Sequence, residues 1–509
     1  MNGDSAVREE VDLVVVGGGP AGSTIASLVA MQGHRVILLE KENFPRYQIG
    51  ESLLPGTIHG ICKLLGVTEE LAQQSFPVKR GGVFKWGVNP TPWKFNFALS
   101  PNFPAPTSTA YQVERMKFDD ILLRNARRLG VDAREGATVI DIVEDGDRVH
   151  GVRYVDESGV ERVIESKFVA DASGNTSRIH GKIGGERHYS DFFKNIATFG
   201  YFENGKRLPE PYSGNILCAA FDEGWCWYIP LSDTLTSVGA VIGREHAAQL
   251  RGDSETALMG LLDRCDIVKD FLSDATRVTD GVYGEIRTRK DYSYSQSEFW
   301  RPGMFLVGDA ACFIDPVFST GVHLATYSAL LAARSVNSVL SGDLSEQVAF
   351  TEFDRRYRRE YRTFYEFLAS FYDMQVDENS YFWQARKVTN MKATDVEAFT
   401  TLVAGGHSGE AALTDAEGIV AEFESSTELL NGAVNDTWEM QSSGNEGMGR
   451  LFDPPVVRGL MDGSNQMLTK DSLGGRVPEV PLFEDGLVPS ADSLRWVVPV
   501  PDAPAAGVR

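Results

Sequence analysis

Residues 11–22 read VDLVVVGGGPAG, and this stretch decides the fold. Its first six residues are mostly β-branched and apolar, which is typical of a strand buried on both faces of a parallel sheet. Glycines follow at once, and residues 21–32 then predict a helix. A second buried strand is predicted at RVILLE, residues 35–40. The start of the chain therefore predicts a βαβ unit in an α/β fold.

The glycines match the GxGxxG pattern of a dinucleotide-binding turn. Gly17 makes the tight turn, Gly19 lets the backbone approach a pyrophosphate, and Gly22 permits close helix packing. Ala21 lies in the first helical turn, at the positive end of the helix dipole. Glu40 ends the second strand, 18 residues after Gly22, where a carboxylate accepts hydrogen bonds from adenosine ribose hydroxyls. A glycine-rich structural turn is the alternative, and the strand, helix, strand and acid in register favour dinucleotide binding.

A later segment, GDAA at residues 308–311, distinguishes FAD from NAD. Asp309 follows the strand MFLV and offers a carboxylate to a ribityl hydroxyl. Pro316 and Gly321 then lead into a helix whose N-terminal amides point at an anion. Together with GxGxxG, this pattern resembles the flavin-dependent monooxygenase superfamily. The resemblance implies FAD and a Rossmann-like FAD-binding domain.

The same resemblance implies further contacts to FAD. Asp171 and Gly174 of VADASGNTSR fill the family's middle Asp-Gly motif. Arg115 of YQVERMKFD takes the place of a flavin-contacting arginine, and Arg46 and Ser52 belong to the matching stretch FPRYQIGESLLP. A turn residue is the alternative for either aspartate motif taken singly. The three separated motifs together favour FAD.

Residues 224–230 read GWCWYIP and contain the pattern WxWxIP. On a strand, Trp225, Trp227 and Ile229 share one face. Two indoles there would keep an aromatic ring away from the flavin, so that direct oxygen insertion is suppressed. Ordinary core packing is the alternative for such a pair. The pattern resembles the signature of flavin-dependent halogenases.

A second halogenase-like segment is PVKRGGVFKWG, residues 77–87, which resembles the stretch that carries an essential lysine in that family. Lys79, Arg80 and Lys85 compete for the role. The resemblance implies Lys79, because its offset from Phe84 and Trp86 matches the halogenase pattern, and Lys85 is then expected to point outward. A solvated loop lysine is the alternative, because burying an uncompensated ammonium is costly.

The halogenase resemblance implies a complete activity. Reduced FAD from a separate flavin reductase would react with O2 and chloride to give hypochlorous acid. Chloride is expected at the backbone amides of Thr320 and Gly321, where the helix dipole favours an anion. Lys79 would then guide electrophilic chlorine to an electron-rich ring. The expected substrate is a phenolic, tyrosyl-type group tethered to a carrier protein in natural-product or antibiotic biosynthesis.

The helical stretch from residue 352 to 374 resembles halogenases that act on phenols or pyrroles. The chain is not expected to resemble the tryptophan-halogenase branch, because the insertions and the glutamate-bearing indole site of that branch are not recognised in it. A pyrrolyl-carrier halogenase and a flavin-dependent aromatic hydroxylase stay open as alternatives. A non-catalytic FAD-binding escort protein and a reductase of prenyl double bonds are weaker ones. A carrier protein is expected to dock on a dense basic stretch of five arginines. Alternatively, the five arginines form a solvated helix face paired with Asp354 and Glu360. The stretch holds Arg355, Arg356, Arg358, Arg359 and Arg362.

The composition excludes several classes of protein. The 509 residues include 49 basic and 71 acidic side chains, and the net charge of −22 argues against nucleic acid or an anionic membrane surface as a partner. Five scattered cysteines without a CxxC pair fit neither a disulfide framework nor a metal site. No signal peptide or membrane span is recognised, so a cytoplasmic enzyme is expected.

The chain is predicted to divide into two parts. Residues 1–330 form the FAD-binding, monooxygenase-like module, with an antiparallel sheet as the substrate layer at about 190–300. Residues 331–509 form a helical C-terminal region that includes an amphipathic helix over 353–374 and ends in a proline-rich extended tail from residue 477.

Overall fold

The βαβ unit expected at the start of the chain is present in the computed structural model. The structure describes residues 9–86, 92–373, 395–408, 410–413 and 481–499. Strand β1 (Glu9–Val16), helix α1 (Pro20–Ala30) and strand β2 (Val36–Leu39) follow one another, and β1 and β2 pair in parallel. All four residues of β2 and most of β1 are buried, as the unbroken apolar runs predict.

The other strands and helices complete a mixed α/β fold. The helices are α2 (Thr68–Ala72), α3 (Arg115–Arg128), α4 (Ser254–Leu262), α5 (Asp266–Phe271), α6 (Thr320–Leu340), α7 (Glu346–Asp373) and α8 (Asp395–Val403). The strands are β3 (Val78–Lys79), β4 (Gly81–Lys85), β5 (Trp93–Asn96), β6 (Ala110–Tyr111), β7 (Asp132–Arg134), β8 (Thr138–Asp145), β9 (Arg148–Val155), β10 (Glu161–Asp171), β11 (Arg187–Glu203), β12 (Ile216–Phe221), β13 (Gly224–Pro230), β14 (Leu235–Gly243), β15 (Thr276–Arg277), β16 (Arg287–Gln296), β17 (Trp300–Arg301), β18 (Met304–Leu306), β19 (Cys312–Phe313), β20 (Val488–Pro489) and β21 (Trp496–Val497).

The first large sheet brings the three FAD motifs to one edge. Its strand order is β17-β18-β10-β1-β2-β7, with the β8–β9 hairpin joined to β10. The strands β18, β10, β1 and β2 run parallel, and their last residues lie side by side: Leu306, Asp171, Val16 and Leu39. Ligands of such sheets bind beyond the carboxyl ends of the strands. The loops that carry the motifs therefore start at the same level.

The second large sheet supplies the opposite wall. Its nine strands include the order β19-β16-β11-β14-β13-β12-β4-β5, and its pairs are antiparallel except for β12 with β4. On β13 the side chains alternate between the two faces. Cys226 and Tyr228 pack in a second core with residues of α4 and α5, whereas Trp225, Trp227 and Ile229 face the cavity described below.

The helical C-terminal region packs on the same core. Helix α7 begins seven residues before the predicted Phe353, and Met374 lies outside the described residues. The rings of Phe364, Phe367 and Phe371 are fully buried, as the aromatic spacing predicts. Residue 330, at which the chain was expected to divide, falls inside α6. The two-domain division stays a prediction.

The described part of the predicted proline-rich tail, residues 481–499, is held against helix α6. Strands β20 and β21 form a short hairpin, and the buried indole N–H of Trp496 donates to Ser335 Oγ at 3.0 Å. This segment therefore packs on the protein and does not fray. The remainder of the tail lies outside the described residues.

Within the described ranges, no helix is long and apolar enough to cross a membrane. All five cysteines are buried free thiols, and the described residues contain no cluster of three or more metal-ligating side chains.

Candidate functional site

A cavity of about 700 Å³ lies between the two large sheets. This volume is in the range of cofactor and ligand pockets, roughly 300–1,000 Å³. Most of the sequence-predicted residues line it: Gly17, Gly19, Ala21, Glu40, Arg46, Ser52, Arg115, Gly174, Trp225, Trp227, Asp309, Pro316 and Gly321. Four others do not line it: Gly22, Lys79, Asp171 and Thr320.

The glycine turn has no room for side chains. Gly17 has a φ of 102°, and a Cβ added there would lie 2.6 Å from the carbonyl oxygen of Ala172. A Cβ on Gly22 would lie 1.8 Å from the carbonyl oxygen of Gly17, so Gly22 lets α1 pack directly against the turn. Gly19 is the N-cap of α1 and lines the cavity, where its backbone is open to an anion.

Glu40 is fixed by backbone amides beside this turn. Its Oε2 accepts from Gly18 N–H at 2.6 Å, and its Oε1 accepts from Glu42 N–H at 2.8 Å. The carboxylate also lines the cavity, and each oxygen has a further lone pair. The position suits the predicted interaction with ribose hydroxyls.

Asp171 shapes the cavity wall from behind. Its carboxylate is fully buried and accepts from Ser173 N–H at 3.1 Å, from Ser173 Oγ at 2.6 Å and from Ser177 Oγ at 2.5 Å. Asp171 therefore holds its own loop and is not part of the cavity lining, and its predicted contact with FAD stays a prediction. Gly174 of that loop lines the cavity with a φ of 76°.

Two cavity-lining arginines share one buried carboxylate that the sequence analysis missed. Arg115 forms a bidentate pair with Asp119, with Nε–Oδ1 at 2.7 Å and the second guanidinium contact at 2.9 Å. Arg46 reaches Asp119 Oδ2 at 3.0 Å. Asp119 is fully buried, so its single negative charge offsets one of the two positive charges and its hydrogen bonds fix the orientation of both guanidinium groups. The four-residue spacing of Arg115 and Asp119 on α3 was the available signal.

The wall also carries buried polar atoms without partners. Glu51 and Ser52 both line the cavity, and Glu51 Oε2 and Ser52 Oγ are buried without a hydrogen-bond partner among the described residues. Buried polar groups in proteins are almost always satisfied, so these two atoms are unusual features of the wall. With the glycine turn, the Glu40 carboxylate and the arginine pair, the residues present fit FAD.

Lys79 is buried close to the start of α6. It is 2% exposed, and its Nζ donates to the carbonyl oxygen of Leu53 at 3.0 Å and to Ser319 Oγ at 3.4 Å. Ser319 itself lines the cavity. No carboxylate of the described residues pairs with this ammonium, and burial lowers the pKa of Lys79 to about 7. The competitors Arg80 and Lys85 are partly exposed.

The predicted anion site adjoins this lysine. Helix α6 begins at Thr320, after Ser319 at a φ of 63°, and its first turn has no side-chain cap. Gly321 lines the cavity, whereas Thr320 is buried behind the lining. Thr320 can therefore offer a bound anion only its backbone amide and not its side chain.

The two tryptophans of the WxWxIP motif form a fixed wall. Their ring centroids are 6.1 Å apart, and both rings are buried. Trp225 Nε1 donates to the hydroxyl of Tyr372 at 2.6 Å, and Trp227 Nε1 donates to Ser237 Oγ at 3.2 Å. The Tyr372 hydroxyl donates in turn to the carboxylate of Asp315 at 3.0 Å. Sequence reasoning missed Tyr372 as the partner of Trp225.

A Rossmann-like sheet, a glycine turn at its carboxyl edge and a facing antiparallel sheet define an FAD-binding enzyme of the monooxygenase type. Comparison with known proteins narrows this class. A family model described as "Tryptophan halogenase" matches residues 12–103 and 100–417. The chain belongs to this family. It is a flavin-dependent halogenase, an enzyme that uses FAD, a halide and O2 and needs a separate flavin reductase.

Individual relatives agree with this assignment. A tryptophan 2-halogenase of Chondromyces crocatus is 37% identical over 407 residues, 77% of this chain and 75% of the relative. A flavin-dependent halogenase of Armillaria mellea is 32% identical, covering 71% of each chain. The structure of the myxobacterial chondrochloren halogenase CndH superposes with a TM-score of 0.73 at 52% identity, covering 96% of this chain and 100% of that one.

These matches correct one expectation. The family description and the Chondromyces relative both name tryptophan. The expected lack of resemblance to the tryptophan-halogenase branch is therefore wrong. That expectation rested on the insertions and the glutamate-bearing indole site of the branch, which are not recognised in this sequence.

Proposed function

We propose that this enzyme chlorinates a phenolic, tyrosyl-type ring tethered to a carrier protein, with hypochlorous acid guided by Lys79. The observation that carries the proposal is the position of Lys79. Its ammonium is buried without a carboxylate partner and touches Ser319, which lines the FAD cavity. Burying an unpaired ammonium costs free energy. A role for Lys79 in the reaction would explain why the protein keeps it there.

When bound, reduced FAD would supply two electrons to O2, which takes two more from chloride to give hypochlorous acid and water. The wall of the cavity would hold the cofactor through the turn of Gly17 and Gly19, the Glu40 carboxylate and the Arg46–Arg115 pair. The first-turn amides of Thr320 and Gly321 would hold chloride beside it, where the dipole of α6 favours an anion.

Trp225 and Trp227 separate the cofactor cavity from the substrate. Their bulk fills the face of β13 that looks into the cavity, and hydrogen bonds fix both indoles in place. A ring that cannot reach the cofactor cannot be oxygenated directly. A small neutral acid can pass to Lys79, where the ammonium polarises it by a hydrogen bond or the neutral amine forms a chloramine.

A carrier would dock on the outer face of α7. The basic stretch there divides in two: Arg356 is buried with Glu352, and Arg358 pairs with Asp354. Three arginines are exposed at i, i+4 and i+7, which places them on one helical face: Arg355, Arg359 and Arg362.

The alternative of a paired, solvated face is correct in part. Asp354 pairs with Arg358 as that alternative expects, but Glu360 is buried and pairs with His323 and His407. Arg355 is paired with Asp485. Arg359 and Arg362 have no ion-pair partner among the described residues, so they support an acidic partner.

The test starts with anaerobically reduced FAD on the enzyme. O2 is admitted with or without chloride, together with free phenols, carrier-bound phenols, carrier-bound pyrroles or free tryptophan. Mass spectrometry is expected to find a chlorinated carrier-bound phenol that forms only with halide. Hydroxylation without halide would indicate a monooxygenase. Chlorination of free tryptophan or a carrier-bound pyrrole, with the carrier-bound phenol unchanged, would overturn the substrate assignment.

A further inference from the structure

Reduced FAD has to reach a strongly acidic protein from outside. Enzymes of this family need a separate flavin reductase, so the reduced cofactor comes from another protein. FAD carries an anionic pyrophosphate, whereas this chain has a net charge of −22. The net field of the protein therefore repels the cofactor, and only a local region of positive charge favours fast association.

Exposed cations surround the opening of the FAD cavity. Among the exposed charged residues of the lining, four are basic and one is acidic: Lys41, Arg178, Arg289, Lys290 and Glu42. Lys41 Nζ lies 3.7 Å from the Glu42 carboxylate, so these two charges offset each other. The other three have no ion-pair partner in the parts of the chain that the structure describes. We call Arg178, Arg289 and Lys290 the mouth cations.

The mouth cations come from the two opposite walls of the cavity. Arg178 lies in the loop after β10 of the first sheet, whereas Arg289 and Lys290 belong to β16 of the second sheet. Arg289 is directly opposite Ala197 of β11, and both residues line the cavity. Because directly opposite residues share one face of a sheet, the side chain of Arg289 points to the cavity face. Positive charge therefore lies on both sides of the opening.

The mouth cations differ from the arginines that fix the bound cofactor. Arg46 and Arg115 are held by the buried carboxylate of Asp119. The mouth cations are exposed, and an exposed charge contributes little to a bound complex but acts over a Debye length on an approaching anion. Three less exposed carboxylates in the lining offset the inner arginines, which leaves the mouth as the attractive part: Glu40, Glu51 and Asp309.

We propose that Arg178, Arg289 and Lys290 attract the pyrophosphate of FAD to the cavity opening and set the rate at which reduced FAD binds. Clefts lined by charge of one sign raise association rates by about 10- to 1,000-fold, and the gain falls steeply with ionic strength. The proposal rests on the flavin dependence of the enzyme and on its need for a separate reductase. It does not depend on Lys79 or on the substrate.

The test measures how fast FAD binds to the flavin-free protein. Oxidised FAD is the probe, and stopped-flow flavin fluorescence gives the association and dissociation rates at about 0.01 M and about 1 M salt, where the Debye length is about 30 Å and about 3 Å. One triple variant neutralises the mouth cations (Arg178→Gln, Arg289→Gln and Lys290→Gln), and a second changes all three to glutamate. The matched controls carry the same changes at three exposed arginines that lie outside the lining and have no ion-pair partner among the described residues: Arg35, Arg244 and Arg251.

At low salt, the neutralised mouth variant is expected to bind FAD at least about tenfold more slowly than its control, and the glutamate variant more slowly still. Both differences should shrink to less than about twofold at high salt, with dissociation rates nearly unchanged. An association rate equal to that of the control at low salt would overturn the proposal. A loss of affinity that lies entirely in the dissociation rate would also overturn it, because the three side chains would then be ordinary contacts of the bound cofactor.

A second measurement separates capture of free FAD from direct transfer between two proteins. Chemically reduced FAD is mixed with the protein under anaerobic conditions, and the mouth variants should slow its binding by about the same factor as they slow binding of oxidised FAD. Normal binding of free FAD, with slow delivery only from the reductase, would show that the mouth docks the reductase and would overturn the proposal. Failure of ring chlorination with normal FAD binding would count against the proposed function instead.

Discussion

The indole N–H of Trp225 donates to the hydroxyl of Tyr372 at 2.6 Å, which joins the WxWxIP strand to the end of the long C-terminal helix. The same hydroxyl donates to the carboxylate of Asp315, which lies in the loop that leads to α6. The wall formed by Trp225 and Trp227 is therefore tied both to α7 and to the segment that precedes the predicted chloride site.

Tyr372→Phe is expected to loosen this wall. The change leaves Trp225 Nε1 without its acceptor and removes a donor from Asp315, which should lower the free energy of unfolding by about 1–3 kcal/mol. The yield of chlorinated product per hypochlorous acid formed should fall as well. Thermal unfolding and product analysis measure the two effects. Tyr361→Phe, whose hydroxyl lies 3.3 Å from Ser293 Oγ, is the control on the same helix. An equal yield of chlorinated product per hypochlorous acid in Tyr372→Phe and in the wild type would show that this hydrogen bond is not needed.

Gly321→Ala tests the chloride site. A Cβ at Gly321 meets no atom within 4 Å, so the variant should fold, and alanine in place of glycine should stabilise α6 by up to about 1 kcal/mol. The methyl group would crowd the first-turn amides, so the KM for chloride should rise several-fold. Gly260→Ala in α4, where a Cβ also meets nothing within 4 Å, is the matched control. An unchanged KM in Gly321→Ala would place chloride elsewhere.

Lys79→Met tests the burial of the ammonium through pH. The folded-state pKa of Lys79 is about 7, below its ordinary value of 10.5, so the unfolded chain binds more protons between these values. The free energy of unfolding of the wild type should thus rise with pH across this window. The full cost of burying the ammonium should remain below pH 7. The variant's advantage in free energy of unfolding should shrink by a few kcal/mol between about pH 6 and about pH 10.

Chemical denaturation at these two pH values measures the difference. Lys85→Met removes a lysine from the neighbouring strand β4, where the side chain is partly exposed, and serves as the control. An advantage of Lys79→Met that does not change with pH would contradict the burial of a free ammonium.

Arg359→Glu together with Arg362→Glu tests the docking face. Both side chains are exposed and lie away from the cavity lining, so chlorination of a free phenol should not change. Affinity for a carrier-bound substrate should fall at least several-fold, and the loss should be larger at low salt. Arg251→Glu, at another exposed arginine without an ion-pair partner among the described residues, is the control for the charge change. Equal carrier affinity in wild type and the double variant would leave α7 as a solvated helix.

The FAD-binding half of the site could be predicted from the sequence because its motifs are local. GxGxxG needs only the residues of one turn, and Gly17 and Gly22 show the close backbone approaches that this pattern implies. The motifs after β10 and β18 meet it because parallel strands align their carboxyl ends. A motif does not say which way a side chain turns at the end of a strand, and Asp171 is not part of the cavity lining.

The long-range contacts could not be predicted in this way. Tyr372 lies 147 residues from Trp225, and Tyr201 lies 150 residues from Glu51. Nothing in the spacing of either pair brings them together. Asp119 is different, because its distance of four residues from Arg115 on one helix was a visible signal.

The central claim is that Lys79 directs an oxidant formed elsewhere in the protein. Its most direct test measures hypochlorous acid and chlorinated product separately in Lys79→Ala, with Lys85→Ala as the control. A guiding role predicts that Lys79→Ala forms hypochlorous acid and oxidises reduced FAD at the wild-type rate but yields no chlorinated ring, while Lys85→Ala resembles wild type. Chlorination at the wild-type rate by Lys79→Ala would contradict it.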